Sequence, residues 1–245
     1  VDLSHPAPAN EALLPLLLAL LTGLSDGVAG WLVLGPPARR WSPSPRYLLA
    51  FASGVLLAVV FLDVLPELDL RANAGFLALG FFAFYALEKG LMLHACGEAE
   101  CEVHTLSPVT MAGMALDNVL DGVGIAVAFA WDPLLGGMVA LAVAAHEVPQ
   151  GMASAAILDQ AGWSRRRILA ALGGAGALYP VGALLAGVLP PSFWEPALAF
   201  VAGDLLYIGA GDLLPEAHRR FNLRVLLALF FGVGFVVLLG RLLGS

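Results

Sequence analysis

The 245-residue chain is 60% hydrophobic and only 13% charged, about half the charged share of an ordinary soluble domain, and its mean hydropathy is +0.86. That balance excludes a soluble globular protein, and the net charge of −7 speaks against a nucleic-acid partner. Two cysteines, Cys96 and Cys101, are too few for a disulfide framework.

A hydrocarbon core of ~30 Å needs a helix of about twenty apolar residues. That ruler predicts an all-α polytopic membrane protein of eight spans, near 13–34, 47–67, 75–94, 106–131, 134–158, 168–189, 196–216 and 223–243, in a single transmembrane domain over 1–245. The breaks carry Pro36-Pro37, Trp131-Asp132-Pro133 and Pro190-Pro191, as connections at the interface should. The first residue is Val1 rather than Met, which fits processing ahead of it, and no cleavable signal is visible. Basic residues sort by side. Arg39, Arg40, Arg46, Lys89, Arg165, Arg166, Arg167, Arg219, Arg220 and Arg224 fall in alternate connections, against Arg71 and Arg241 on the opposite face. The excess of positive charge on inner loops then predicts both termini on the outer side.

The sequence contains an internal echo. Asp63-Val64-Leu65-Pro66-Glu67 ends the second predicted span and Asp212-Leu213-Leu214-Pro215-Glu216 the seventh, and the two spans run in opposite directions. Three helices repeated upside down around a central pair would give this pattern; a shared habit of ending helices with Leu-Pro-Glu is the plainer explanation.

An Asp or Glu at mid-bilayer costs at least ~2.5–3.5 kcal/mol, so each needs a partner, water or an ion. Asp26, Asp63, Asp117, Asp121, Glu147, Asp204 and Asp212 lie within spans, with His146 among them, and only Lys89 lies inside a span to answer them. Internal ion pairs cannot account for the set. A cation can, because carboxylates, an imidazole and amide oxygens suit a borderline divalent metal such as Zn2+, and also Fe2+, Mn2+ or Cd2+. Asp117 and Asp121 are four apart, as are His146 and Gln150, so each pair projects from one helix face and two such faces make a four-ligand cage. Asn118 and Glu147, one position further on, are expected to open onto an adjoining second cage. Asp26 is expected to hydrogen-bond a neighbouring helix rather than to bind metal. Asp63 and Asp212, near helix ends, and Asp204, two turns from Asp212, are accessory candidates. Pro149 removes a hydrogen bond within the fifth helix and frees a carbonyl near Ala145, while Gly122 and Gly151 let backbones approach at the ligand clusters.

At these residues the chain resembles the ZRT/IRT-like (ZIP) metal transporters and is identified as a prokaryotic member. DNVLDGVGIAVAFA in the fourth helix is similar to the family's HNxxDG, and HEVPQGMASAAILDQAGWSRRR in the fifth to its HEVPHE pattern. GVLLAVVFLDVLPEL and AGDLLYIGAGDLLPEA look like the family's second and seventh helices. The resemblance implies eight helices in a 3+2+3 inverted-repeat arrangement and movement of a divalent metal ion into the cytoplasm, here across a bacterial inner membrane. It implies no enzymatic activity. The partners it implies are the metal ion and the lipid bilayer, with a homodimer also in view. By position, Asp117, Asp121, His146 and Gln150 would form the transport site, and Asn118 and Glu147 part of a second. Asp117 stands where the family usually has His, Gln150 where it has His or Glu, and Leu120 where many members have Pro. Tyr179-Pro180 stands where a Glu-Pro supplies a second-site carboxylate. The expectation is a harder first site, less selective for zinc, and a second site weakened or absent, with Glu147 as its one certain anion, so that a single ion is held per chain.

Two other readings compete. Gly209-Ala210-Gly211-Asp212 spells the GxGD of intramembrane aspartyl proteases, but the Tyr-Asp partner is missing and the Pro196-Ala197-Leu198 triplet comes on the wrong side of it. His94, Cys96, Cys101 and His104, interleaved with three Glu, form a candidate metal relay between the third and fourth helices, in the reducing cytoplasm on the predicted topology.

Overall fold

The computed structural model describes residues 9–35, 45–96, 103–219 and 222–243. All regular structure among them is helical: α1 (Ala9–Leu34), α2 (Pro45–Val59), α3 (Leu70–Cys96), α4 (Val103–Trp131), α5 (Pro133–Gln160), α6 (Arg165–Gly176), α7 (Leu178–Ala186), α8 (Trp194–Leu206), α9 (Leu214–His218) and α10 (Leu223–Leu243). Seven stretches are long and apolar enough to cross a membrane: Leu13–Leu34, Arg46–Glu67, Leu70–Gly90, Met111–Trp131, Arg165–Ala186, Pro191–His218 and Leu223–Leu243. The eighth expected span is α5, whose 28 residues are ample in length but carry His146, Glu147 and Gln150. Phe76, Phe82, Phe230 and Phe231 stand exposed on the outside of the bundle, as lipid-facing side chains do.

Proline shapes three of the spans. In the second, α2 widens into a π-helical turn over Val60–Val64 and then tightens into a 3-10 turn over Leu65–Glu67, because Pro66 has no N–H to give to the carbonyl four residues back. In the seventh, α8 widens over Tyr207–Leu213 just ahead of Pro215 and continues as α9. The two Asp-x-Leu-Pro-Glu strings therefore share a backbone irregularity as well as a spelling, and a common helix-ending habit does not explain the second, where the helix goes on. The sixth span breaks at Ala177, between α6 and α7, where Pro180 cannot donate to Gly176. α5 runs unbroken through Pro149. It is started by the Asp132 side chain, which accepts from Leu135 N at 2.9 Å, with Pro133 in the first helical position.

The helices pack as two groups. α1, α4, α5 and α6–α7 contact one another, as do α2, α3, α8–α9 and α10, and the groups meet mainly through α2 with α5, α4 with α8, and α3 with α4. Within each group the closest approaches are backbone to backbone. A Cβ added at Gly23 or Gly176 would lie 2.1 Å from the other's carbonyl oxygen, at Gly182 it would lie 1.9 Å from Val119 O, and at Gly122 2.1 Å from Tyr179 O. In the second group Gly54 and Gly232 join α2 to α10, and Gly80 and Gly203 join α3 to α8, at comparable distances from backbone oxygens. Helices this close gain dispersion contacts and Cα–H···O contacts that a larger residue would forbid. Between the groups the contact at Gly124 is with the Val201 side chain instead. The pairing of α1 with α5 is mirrored by α7 with α4, and that of α2 with α10 by α8 with α3.

Candidate metal centre

α4 and α5 cross in the middle of the first group, and their polar turns face each other there. Asp117, Asp121, His146 and Glu147 are all buried, and one ligand atom from each lies within 4.8 Å of the others. His146 Nε2 stands 3.1 Å from Glu147 Oε1 and 3.5 Å from Asp121 Oδ2, while Nδ1 is turned back to Ala142 O at 3.4 Å. Asp117 Oδ1, both oxygens of Asp121 and both of Glu147 have no hydrogen-bond partner, and neither has His146 Nε2. No Lys or Arg is buried among the described residues. A group of acceptors with no donor among them is costly in a low-dielectric interior, and a divalent cation would satisfy them together. Carboxylate oxygens with one imidazole nitrogen are a donor set for zinc and neighbouring transition metals.

Gln150 Nε2 donates to Asp117 Oδ2 at 2.8 Å, so its amide steadies the Asp117 carboxylate while its Oε1 is not engaged by that bond, and the Glu147 carboxylate joins Asp117, Asp121 and His146 in the cluster. The i,i+4 rule placed Glu147 one step round the helix and so in the neighbouring cage alone, whereas the crossing of α4 over α5 brings its carboxylate onto the His146 ring. Asn118 faces away from the cage and donates to Asp26 Oδ2 at 2.9 Å, the helix-to-helix bond expected of Asp26. The expectation of a single anion beside Asn118 is corrected here, because the Asp26 carboxylate comes in from α1 next to Glu147.

A cavity of about 780 Å³ leads away from the cage. Asp117 and Gln150 lie at its head, Leu48, Phe84 and Ile157 along its walls, and Glu88, Asp212 and Glu216 further out. The Tyr207 hydroxyl donates to the Glu88 carboxylate. These residues lie toward the helix ends that bear the Arg-rich connections, whereas the opposite half, with Ile125, Ala128, Val139, Val143, Leu198 and Val201, is packed shut.

A family model described as ZIP Zinc transporter matches residues 92–240 of this sequence. The chain belongs to the ZIP family. Among its relatives, Zinc transporter ZIP13 of Pongo abelii is 30% identical over 222 residues, 79% of this chain and 66% of that protein. Zinc transporter YKE4 of Saccharomyces cerevisiae is 26% identical over 253 residues, covering 81% and 71%, and Zinc transporter ZupT of Chlorobium luteolum is 29% identical over 250, covering 83% and 88%. ZIP proteins are transporters and not enzymes, and these comparisons lend the aspartyl-protease reading no support.

The remaining sequence candidates of this ZIP chain are spread out. Asp204 is fully buried on α8 with both oxygens unpartnered and lies near Asp117 and Asp121, so the second helix group turns one carboxylate toward the cage. Asp212 lines the cavity. Asp63 sits in the π-helical turn of the second span, half-buried, outside the cluster. Of the relay candidates, His94 and Cys96 close α3 and His104 opens α4 in backbone terms; their side chains and Cys101, in segment 97–102, lie outside the described residues.

Proposed function

We propose that this chain, as one transmembrane transporter domain with three spans inverted about a central pair, moves zinc and other divalent metals such as manganese, iron and cadmium into the cytoplasm. The observation that carries the reading is the buried, donor-free cluster of Asp117, Asp121, His146 and Glu147. The ion is the cargo, held by these four while Gln150 orients Asp117. The cavity supports release on the side of the basic connections, which the positive-inside rule assigns to the cytoplasm with both termini outside. Glu88, Asp212 and Glu216 along that path draw the cation outward from the cage. Exchange between sides requires one helix group to move against the other, since the packed half must open as the cavity closes. The relatives' names, all zinc transporters, support zinc as a substrate.

The test is metal-competition uptake in proteoliposomes. His146→Ala removes the one nitrogen ligand and is expected to lower zinc uptake by at least ~10-fold while the protein still purifies as a folded species. Wild-type uptake by that variant would overturn the assignment of the site.

A further inference from the structure

One buried carboxylate of the second helix group is used neither by the cage nor by the packing. Asp204, in the last turn of α8, is fully buried, and neither of its oxygens has a hydrogen-bond partner. Its neighbours along the helix, Val201, Ala202 and Leu205, are the buried apolar residues that a core takes. An unpaired buried acceptor costs about 1–3 kcal/mol, and more when ionised, so packing alone gives no reason to keep it.

The register of α8 on α4 brings Asp204 to the cage. A Cβ at Gly124 would meet the Val201 side chain at 2.5 Å, which fixes one point of contact between the two helices. α4 passes from Ala128 and Ile125, in the packed half, back through Asp121 to Asp117 at the cavity, and α8 passes from Leu198 and Val201, in the same half, forward through Asp204 to Tyr207 and Ile208 at the cavity. Asp204 is therefore one turn from Val201 on the cavity side, as Asp121 is one turn from Gly124, and it stands within electrostatic reach of both Asp117 and Asp121. It is not one of the four residues whose ligand atoms lie within 4.8 Å of one another. Its backbone belongs firmly to the second group, since a Cβ at Gly203 would lie 2.0 Å from Leu77 O and one at Gly80 1.9 Å from Phe200 O, seating this turn of α8 on α3.

We propose that Asp204 is a fifth ligand to the transported ion, brought by the second helix group onto the metal held by Asp117, Asp121, His146 and Glu147. The assignment rests on the proposed function of that cage. A bound cation gives the Asp204 carboxylate the partner it lacks, and no buried Lys or Arg among the described residues offers another. A further oxygen serves manganese(II), which favours six oxygen ligands, more than zinc, which is complete with four, so Asp204 bears on which metal is held. Because it comes from the other group, the ion it touches ties the two groups together.

Cadmium titrated into the purified full chain carrying Asp204→Cys, with Cys96→Ser and Cys101→Ser as background, tests this. A thiolate is a good ligand for a soft metal, and the expected result is a sulfur-to-cadmium charge-transfer band in the ultraviolet that saturates at one Cd2+ per chain and is absent from the background chain. Asp204→Ala, which needs no thiol, is expected to bind Mn2+ about 10-fold or more weakly and to lose less of its zinc affinity. Cadmium held by the cysteine variant without the band, or wild-type manganese affinity in Asp204→Ala, would overturn the proposal, and an equal loss for zinc would overturn the part played in selectivity. His146→Ala in the background chain separates the two readings. If it loses cadmium while the cysteine variant shows no band, only Asp204 is misassigned; if it binds cadmium like its parent, the cage reading itself fails.

Discussion

Gly182→Ala tests how tightly packing and ligation are joined. Gly182 is buried on α7, and a methyl group there would stand 1.9 Å from Val119 O and 3.0 Å from Val123 N. Ordinary contact begins near 3.4 Å, so α4 and α7 must separate by ~1.5 Å along that line. α7 has little freedom to retreat, because it packs against α1 as well. If α4 takes half of the shift, Asp117 and Asp121 move about 0.7 Å relative to His146, several times the ~0.2 Å tolerance of metal–ligand bonds. Displacement of this kind is expected to weaken zinc binding by ~10–100-fold and to destabilise the fold by ~1–3 kcal/mol through overpacking. The assay is competition for zinc against a chromophoric chelator, with thermal unfolding measured on the same samples. Gly137→Ala, on α5 with nothing within 4 Å of the added methyl, is the control, and is expected to bind zinc normally and to gain slightly from helix propensity. Should Gly182→Ala bind zinc and unfold like Gly137→Ala, the claim that this glycine contact positions α4 is wrong.

Asp117→His exchanges a buried carboxylate for an imidazole and softens the cage, so the ratio of zinc to manganese uptake is expected to rise; an unchanged ranking would remove the ligand-softness argument. Cys96 and Cys101 are expected to react with membrane-impermeant thiol reagents only when the inner face is opened, and labelling from outside intact cells would reverse the proposed orientation. Together with His146→Ala, these variants separate site from orientation.

Much of this was legible in the sequence because membrane helices obey few rules. A run of apolar residues long enough to cross, bounded by Pro, Gly and Arg, places most spans within a few residues, and the rarity of charge in such runs points to Asp117, Asp121 and His146 directly. Helix crossing was not legible. That the Gln150 amide donates to Asp117 across the helix crossing is not in its spacing from His146; Glu147 is one step out of phase, yet reaches His146 Nε2. Asp26 lies 92 positions from Asn118, and nothing local records that Gly23, Gly151 and Gly176 let α1 approach closely enough for the two to meet. The break of the sixth span and the widened turns before Pro66 and Pro215 follow from proline chemistry, but whether a missing N–H gives a kink, a break or a π-helical turn depends on the neighbours. Ser53, which donates to Gly209 O at 2.9 Å within such a turn, is one of those neighbours.

The distribution of glycines bears on how such a protein can move. Backbone contacts at Gly23–Gly176, Gly122–Tyr179, Gly182–Val119, Gly54–Gly232 and Gly80–Phe200 all join helices of the same group. A contact between two backbones has no rotamer to change, and separating it forfeits dispersion along a whole helix face. A contact through side chains, such as Val201 against Gly124, can be remade after a slide by rotamer changes on fast timescales. The low-cost deformation of this fold is therefore displacement of one intact group past the other, with the α4–α5 cage carried as a rigid unit. Asp204 then changes its distance to Asp117 and Asp121 as the groups move, because it is the buried carboxylate on the opposite group. Where Asp204 is ionised, the negative potential at the cage is highest when it stands close and falls as it withdraws. On the proposed function, motion that alters access to the ion would thus also alter how strongly the cage holds it.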